Sequence, residues 1–241
     1  MARKGKMYDK QINSNYLQEE MTIKIYEPEE FDFLYETNVC IMQDGDDYFQ
    51  LGRIATVSDQ LHEESDLVNT VFIGIHYIDR FDRLKKYHPN GEQFEAYMQF
   101  LTREVVPLLD ELLPINPLGT VRTLMGDSLA GTIALLTTLN YPSLFNKIIM
   151  QSPLVNSAVL QAAEKCEKGH LIEVYHSIGM QETNVKTTKD GHVDFLTPNQ
   201  QLATILQDKF TFYHYQELEE GNHTWKYWQK EIPKIMELMF T

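Results

Sequence analysis

The stretch Val121-Arg-Thr-Leu-Met-Gly-Asp-Ser-Leu-Ala-Gly-Thr-Ile-Ala-Leu-Leu136 decides the fold. Its first five residues include branched and apolar side chains and predict a short buried strand, whereas residues 132–139 predict an apolar helix. Between them lies a tight turn that would hold the Ser128 hydroxyl clear of the sheet. Such a turn needs small residues two places before and after the serine, where Gly126 and Ala130 stand. Because the same short pattern also occurs in ordinary loops, other residues must decide whether the serine is reactive.

The composition is that of an ordinary globular chain. It has 241 residues, 43% of them hydrophobic and 23% charged, so a single domain over residues 1–241 can bury a substantial core. Asp and Glu number 35 against 21 Lys and Arg, and this acidic balance argues against nucleic acid and anionic membrane surfaces as partners. The two cysteines, Cys40 and Cys166, make no disulfide framework and favour a cytoplasmic setting. The basic start, residues 1–6, is not followed by an apolar run, so we expect no signal peptide and no transmembrane span.

Segments that favour strands alternate with segments that favour helices. Several of the predicted strands are apolar throughout, which is typical of strands covered on both faces. We therefore predict an α/β fold with a mostly parallel central sheet and helices on both faces. Residues 78–91 have no regular period and predict a polar, aromatic loop. The predicted strands cover residues 21–26, 37–42, 70–77, 121–125, 147–150, 170–179 and 210–217. The predicted helices cover residues 51–61, 92–113 (kinked at Pro107 and ended by Pro114 and Pro117), 132–139, 157–168, 195–206 and 225–240.

A serine hydroxyl is a weak nucleophile at neutral pH and needs a base, commonly a histidine oriented by a carboxylate. Of the eight histidines, His223 is the best placed, because it follows Gly221 in a loop between the last predicted strand and the last helix. The alternative for His223 is a polar residue at a helix start. His76 ends a strand at the same edge of the sheet as Ser128 and is a candidate for lining the site. His62, His88 and His192 are predicted at the surface, and His170 and His176 in structural positions.

The carboxylate is expected between the serine and the histidine in sequence, which is the order in hydrolases with this kind of turn. Glu182 follows the strand that ends at Gly179, and this would bring it to the same edge of the sheet as Ser128. Asp190 and Asp194, further along the same loop, remain alternatives.

An oxyanion hole needs two N–H donors. The backbone N–H of Leu129, at the start of the predicted helix, would supply one of them. The second is expected from the turn after the third strand, where the N–H of Asp46 follows the Asp44-Gly45 turn signal. The alternative for that turn is a plain change of chain direction.

With these residues assembled, the chain from about Met21 onward resembles the putative esterase family of α/β-hydrolases, which includes esterase D, the enterochelin esterases and the mycolyltransferases. The motifs that carry the resemblance are Gly126-Asp-Ser-Leu-Ala-Gly131, Tyr141-Pro-x-x-Phe145, Gln151-Ser-Pro153, Gly221-Asn-His-Thr-Trp-Lys-Tyr-Trp228, Asp44-Gly45 with Tyr48-Phe49, and Arg83-x-x-x-Tyr87-x-Pro89. The resemblance implies an α/β-hydrolase fold with Ser128 as nucleophile, His223 as base and Glu182 as acid. It also implies Leu129 and Asp46 as the oxyanion donors. The chain departs from the family at Ala130, which replaces a glycine, and at Lys86, where glutamate is more frequent.

Four residues around the predicted site are candidate substrate contacts: Tyr48, His76, Arg83 and Trp225. Arg83 belongs to one of the motifs above, and His76 lies at the edge of the sheet that carries the site. For the aromatic residues, plain packing is an equally good interpretation.

The function predicted from these residues is that of a serine carboxylesterase that hydrolyses small carboxylic esters through an acyl-serine intermediate. Neither a metal nor an organic cofactor is required for that chemistry. Two alternatives stay open: an esterase for a siderophore trilactone, and a catalytically silent binding protein with a hydrolase fold. The acyl and alcohol preferences stay open as well, as does the oligomeric state, with a homo-oligomer among the possibilities.

Overall fold

A computed structural model describes residues 4–29, 31, 36–64, 67–116 and 119–241. The strands in these residues are β1 (Lys6–Ser14), β2 (Glu19–Glu27), β3 (Thr37–Met42), β4 (Asn69–Ile75), β5 (Thr120–Asp127), β6 (Lys147–Gln151), β7 (Glu173–Gly179), β8 (Val185–Lys186), β9 (His192–Val193) and β10 (Phe212–Leu218). Eight of them form one sheet in the order β1-β2-β4-β3-β5-β6-β7-β10, and β8 pairs with β9. In the large sheet, β2 is antiparallel to both β1 and β4, and all the other neighbours are parallel. The predicted mostly parallel sheet is therefore confirmed.

Helices lie on both faces of this sheet, as the sequence predicts. They are α1 (Gly45–Gln50), α2 (Ile54–Glu64), α3 (Arg80–Tyr87), α4 (Phe94–Phe100), α5 (Val106–Leu112), α6 (Leu129–Asn140), α7 (Ser157–Glu164), α8 (Leu196–Lys209) and α9 (Trp225–Met239). Successive side chains of a strand point to opposite faces, so Val39 and Ile41 of β3 join one buried cluster and Cys40 and Met42 join another. The first cluster includes side chains from α4 to α8, and the second includes side chains from α1, α2 and α9. Each face of the sheet thus has its own hydrophobic core.

The helix α3 lies where the sequence predicts an irregular loop, so that prediction is wrong. Asp79 caps the helix, and its carboxylate accepts hydrogen bonds from the backbone N–H groups of Phe81 and Asp82. The helix is held to the protein by the ion pairs of Arg83 and Lys86 as well as by the packing of Leu84 and Tyr87 on the core. This apolar face is too short to stand out as a helical period in the sequence.

The predicted long helix over residues 92–113 is divided into α4, a π-helical turn Leu101–Val105, and α5. Pro107 has no N–H to offer to the carbonyl four residues earlier, which accounts for the interruption just before it. The helix ends at Leu112, before Pro114, whereas Pro117 and residues 1–3 of the basic start lie outside the described residues. In the described part of the chain, no helix has the length and apolar character needed to cross a membrane.

The parallel strands bring four chain segments to the same edge of the sheet. At their carboxyl ends, β3 leads into α1, β5 into the turn that contains Ser128, β7 into the loop that contains Glu182, and β10 into the loop that contains His223. In open α/β sheets, ligands bind at this edge.

Candidate active site

Ser128 occupies the turn between β5 and α6 in a backbone conformation that non-glycine residues rarely adopt, with φ 51° and ψ −123°. Backbone hydrogen bonds hold it there: its N–H donates to the carbonyl of Gln151 at 2.9 Å, and its carbonyl accepts from the N–H groups of Leu154 and Thr132, both at 3.2 Å. A Cβ atom on Gly126 would lie 2.3 Å from the carbonyl carbon of Ala130. The glycine at position 126 is therefore a packing requirement of this turn.

His223, in the loop between β10 and α9, extends its ring toward Ser128. Its Nε2 atom lies 2.9 Å from the Ser128 Oγ. The ring is packed edge-on against Phe195 and Trp228, with centroid distances of 4.6 and 5.0 Å. Because the side chain is 19% exposed, these aromatic rings orient the imidazole without closing it off from solvent.

Glu182 contacts the opposite side of the imidazole. Its Oε2 lies 2.6 Å from His223 Nδ1, and its Oε1 accepts hydrogen bonds from the Gly179 N–H at 3.0 Å and the Ser152 hydroxyl at 2.6 Å. The side chain is 1% exposed. A proton on Nδ1, directed at this carboxylate, leaves Nε2 free to accept the Ser128 proton.

The other two carboxylates considered from the sequence lie elsewhere. Asp190 is 3.9 Å from the Nε2 of His88, and Asp194 accepts a hydrogen bond from the Thr197 N–H at the start of α8. Of the three alternatives, Glu182 is the residue that the fold brings to His223.

Two glycines allow the loops after β7 and β10 to pack backbone against backbone. A Cβ on Gly179 would lie 2.5 Å from the carbonyl carbon of Gly221 and 2.7 Å from Oε1 of Glu182. The Gln181 N–H donates to the Gly221 carbonyl at 2.9 Å. This contact fixes the carboxylate of one loop against the histidine of the other.

Ser152 is a site residue that sequence reasoning missed. It is fully buried, and its hydroxyl donates to Glu182 while accepting a hydrogen bond from Trp228 Nε1 at 3.1 Å. Its φ of 48° lies in the left-handed region, which a sequence pattern does not reveal for a serine. The available signal was the Gln151-Ser-Pro153 motif, which places a polar residue at the carboxyl end of a parallel strand.

The predicted oxyanion donors, Leu129 and Asp46, stand in the first turns of α6 and α1. N–H groups in a first turn have no acceptor within their own helix. A Cβ on Gly45 would lie 2.2 Å from the Cα of Gly74, so the turn after β3 packs directly on β4. Their role as oxyanion donors stays a prediction.

A pocket of about 300 Å³ opens beside Ser128 and His223. Of the four predicted substrate contacts, Arg83 lines this pocket. Its guanidinium is turned toward Asp44, with Nε 2.7 Å and Nη2 2.5 Å from one carboxylate oxygen. Arg83 thereby ties α3 to the turn after β3.

The other three predicted contacts, Tyr48, His76 and Trp225, are not part of the pocket walls. Tyr48 is fully buried: its hydroxyl donates to Gln151 at 3.1 Å, and its ring packs against Trp225 at a centroid distance of 4.8 Å. His76 lies 3.4 Å from the carboxylate of Asp46, and burial lowers its pKa against the opposing effect of that carboxylate. The sequence predicts all three residues as substrate contacts because they lie at the same edge of the sheet as Ser128. The pocket occupies only part of that edge, and these three residues lie outside its walls.

Lys86, one of the two departures from the family pattern, does not reach the pocket either. Its fully buried ammonium lies 2.7 Å from Asp82 and is paired with Glu19. Lys86 therefore helps to attach α3 to the protein and does not contact the pocket.

Two buried aspartates, Asp44 and Asp127, and the half-buried Asp47 line one side of the pocket. Burial raises the pKa of Asp127 well above its usual range; the nearby Asp44 adds to this effect and Arg83 opposes it. Burial also raises the pKa of Asp44 and of Asp47. Within the described ranges, no group of three or more His, Cys, Asp or Glu residues is arranged to hold a metal ion.

The mostly parallel sheet, the serine turn after β5 and the histidine after β10 define a protein of the α/β-hydrolase fold. The chain belongs to the family described as Putative esterase, whose model matches residues 14–239. Both the fold and the family resemblance inferred from the sequence are thereby confirmed.

The chain is 39% identical over 237 residues to the uncharacterized protein YjcH of Bacillus subtilis (strain 168), and the match covers 98% of each chain. Among solved structures, the enterobactin esterase FES from Shigella flexneri, in the presence of enterobactin, has a TM-score of 0.80 at 18% identity over 99% of this chain. The chain spans 61% of the length of FES. The BES protein from Bacillus cereus also has a TM-score of 0.80, at 16% identity, over 98% of this chain and 95% of its own. At such identities the two structures establish the shared fold alone.

Proposed function

We propose that this protein is a serine carboxylesterase that hydrolyses small carboxylic esters, with Ser128 as nucleophile, His223 as general base and Glu182 as the orienting acid. One observation carries the proposal: the continuous hydrogen-bond chain from the Ser128 hydroxyl through both ring nitrogens of His223 to Glu182, with distances of 2.9 and 2.6 Å. A serine without such a partner is too weak a nucleophile at neutral pH. The family assignment supports esterase chemistry.

In the proposed reaction, Ser128 Oγ attacks the carbonyl carbon of the ester while its proton moves to His223 Nε2. The carbonyl oxygen becomes an oxyanion and accepts hydrogen bonds from the N–H groups of Leu129 and Asp46, each contributing roughly 3 kcal/mol. When the tetrahedral intermediate collapses, the alcohol leaves with the proton from His223 and the acyl group stays on Ser128. Water, deprotonated by His223, then attacks the acyl-serine, and the acid is released.

The pocket favours a small ester over the siderophore trilactone considered from the sequence. A volume of about 300 Å³ lies at the lower end of the range for ligand pockets. The buried cation in its walls, Arg83, is already paired with Asp44, so it offers little attraction to an anionic catecholate–iron complex. The similarity to FES, at 18% identity, gives no weight to that substrate.

A fluorophosphonate probe tests this proposal against a catalytically silent site. We expect the probe to label the wild-type protein at Ser128, and Ser128→Ala to lose both the labelling and the hydrolysis of 4-nitrophenyl acetate. Labelling at another residue, or equal hydrolysis by Ser128→Ala, would overturn the assignment. A series of 4-nitrophenyl esters with longer acyl chains then tests the size limit, and a preference for long chains would contradict it.

A further inference from the structure

The side chain of Arg83 joins the two turns that carry the predicted oxyanion donors. Its Nε lies 2.9 and 2.7 Å from the two carboxylate oxygens of Asp44, and its Nη2 lies 2.5 Å from the second of these oxygens. The same Nη2 donates to the backbone carbonyl of Asp127 at 3.3 Å. Each contact falls two residues before a predicted donor, Asp46 in one turn and Leu129 in the other. One guanidinium therefore holds both turns close to the groups that would bind an oxyanion.

The main-chain pairing between the two strands stops before these turns. The register of β3 with β5 ends at Met42 and Met125, and one further backbone hydrogen bond runs from the Gln43 N–H to the Met125 carbonyl at 2.8 Å. Beyond it, within the part of the chain that the structure describes, no backbone hydrogen bond joins residues 44–50 to residues 126–131. The guanidinium of Arg83 thus spans the region where the sheet no longer fixes one turn relative to the other.

The turn after β3 has a strained backbone at Asp44. This residue has φ 57° and ψ 40°, in the left-handed region, and its side chain is 2% exposed. Its carbonyl accepts hydrogen bonds from the N–H groups of Asp47 and Tyr48, at 3.0 and 3.3 Å, in the first turn of α1. A buried carboxylate is stable only when it is paired, and Arg83 is its partner. The ion pair therefore stabilises the strained turn from which α1, with the Asp46 N–H, begins.

The position of Arg83 is itself fixed. Its guanidinium lies 5.8 Å from the ring centroid of Tyr87, one turn later in α3, and that ring is fully buried. Lys86 pairs with Glu19 of β2, so α3 is attached to the sheet independently of Arg83. The planar guanidinium directs its donors at two acceptors at once, whereas the ammonium of a lysine is a single point of charge. Arg83 thus has the geometry of a rigid link between the two turns.

We propose that Arg83 positions the oxyanion hole of this site. Through Asp44 and the carbonyl of Asp127, it holds the two turns at the separation at which both predicted N–H donors reach one oxyanion. The inference rests on the proposed function, which assigns the oxyanion to those two N–H groups. Loss of one such donor lowers kcat by about 10²–10³, so a displaced turn has a large effect on the chemical step. Arg83, predicted from the sequence as a substrate contact, is then a positioning residue.

Two substitutions of Arg83 test this role in the hydrolysis of 4-nitrophenyl acetate. Arg83→Lys keeps the charge but not the two-sided contact, so we expect kcat to fall about tenfold. Arg83→Gln removes both, and kcat should fall about 10²-fold. KM should stay within about threefold of wild type in each variant, because the loss falls on the chemical step. Lys85→Gln removes an exposed cation of the same helix that does not line the pocket, and it should leave kcat and KM unchanged.

A double variant tests whether Arg83 acts through Asp44. Arg83→Gln combined with Asp44→Asn removes both charges of the ion pair, and its loss of kcat should not exceed the larger of the two single losses, because the two residues act as one unit. Losses that multiply would mean separate roles and would overturn the inference. If Arg83→Gln alone does not fold, since it leaves the Asp44 carboxylate buried without its cation, kcat of the neutral double variant decides instead.

A transition-state analogue separates positioning from a partial loss of folded protein. The Ser128 Oγ adds to the carbonyl carbon of 1,1,1-trifluorobutan-2-one, the carbonyl electron pair moves onto the oxygen, and the serine proton moves to His223, so the adduct carries an oxyanion. Misfolding removes active enzyme and lowers kcat, but it leaves the inhibition constant of the remaining enzyme unchanged. We therefore expect the inhibition constant of each Arg83 variant to rise by the factor by which kcat/KM falls.

Three results would overturn the positioning role: wild-type kcat in Arg83→Lys, a raised KM with unchanged kcat, or an unchanged inhibition constant. The first would mean that charge alone suffices, and the second that Arg83 contacts the substrate. Ser128→Ala separates these failures from a failure of the proposed function. If Ser128→Ala is inactive while the Arg83 variants behave like wild type, the esterase proposal stands and only the role of Arg83 is removed. If Ser128→Ala still hydrolyses the ester, the proposed function itself fails.

Discussion

The Ser152 hydroxyl donates a 2.6 Å hydrogen bond to the carboxylate oxygen of Glu182 that faces away from His223. The carboxylate of Glu182 thus has one oxygen hydrogen-bonded to His223 and the other to Ser152. Ser152 also accepts the indole N–H of Trp228, so its own orientation is determined. A hydrogen bond to a charged group contributes about 1.5–3 kcal/mol, enough to matter for the alignment of the base.

Replacing Ser152 by alanine tests this alignment. We expect kcat to fall about tenfold with little change in KM, because the loosened Glu182 affects the chemical step and not the pocket walls. Steady-state kinetics with 4-nitrophenyl acetate measures the changes in kcat and in KM separately. Trp228→Phe removes the indole N–H together with part of a ring that packs on His223 and lines the pocket, so we expect its effect to extend to KM. An Ser152→Ala enzyme with raised KM and unchanged kcat would contradict a positioning role.

The Glu182→Gln variant tests the choice among the three carboxylates. An amide cannot hold the imidazole in the required tautomer, so we expect kcat to fall by about 10³–10⁴. Asp190→Asn and Asp194→Asn make the same chemical change on the same loop without touching His223, and should remain within about twofold of wild type. A large loss in either of these, with Glu182→Gln active, would mean that the acid is misassigned.

The Gly126→Ala variant tests the geometry of the serine turn. The new Cβ would lie 2.3 Å from backbone atoms that cannot move independently, so we expect a loss of about 2–4 kcal/mol in the free energy of unfolding, together with loss of probe labelling. Gly119→Ala is the matched control, because the nearest atom to its new Cβ is 3.8 Å away. Urea denaturation measures both. A Gly126→Ala protein as stable as Gly119→Ala would refute the packing argument.

The buried side chain of His176 should make the free energy of unfolding depend on pH. Burial lowers the pKa of His176 to about 4, an effect that its hydrogen bond to Asn199 opposes. The unfolded chain, with a histidine pKa of about 6.5, therefore binds this proton more readily, and the stabilisation present above that pH is lost as the pH falls toward 4.

Between pH 7.5 and 5, His176 alone should cost about 2 kcal/mol of unfolding free energy. The His176→Gln variant lacks this titration, so its loss over the same range should be smaller by about that amount. Urea denaturation at the two pH values gives the comparison, and equal losses in both proteins would show that His176 does not titrate as its burial requires.

Strong local signals in the sequence predicted much of the fold. The strand β3 begins and ends at the predicted residues, Thr37 and Met42, because all of its residues are buried and the last four, Val39 to Met42, are apolar. The serine turn was predicted because Gly126 and Ala130 satisfy a steric requirement that few residue types meet. Glu182 was favoured because the chain order of the fold places it at the right strand end.

The features that were missed depend on long-range contacts. The apolar face of helix α3 is short, consisting of Leu84 and Tyr87, and the position of the helix also depends on Arg83 meeting Asp44, which is 39 residues earlier in the chain. Ser152 reaches Glu182 through a left-handed backbone conformation that its residue type does not reveal. Tyr48 belongs to a motif near the site, yet it is fully buried and its ring packs against Trp225. The motif alone does not tell a residue of the pocket wall from a residue of the core.

The close approach of Gly179 and Gly221 has a consequence for engineering the substrate range. The two loops that carry the acid and the base interlock through their main chains, so an insertion or a bulkier residue in either one disturbs both at once. The segment around Tyr77–Arg80, between β4 and α3, forms another part of the pocket rim and is not bound by that contact. Libraries aimed at new esters should diversify that segment and leave the glycine pair untouched.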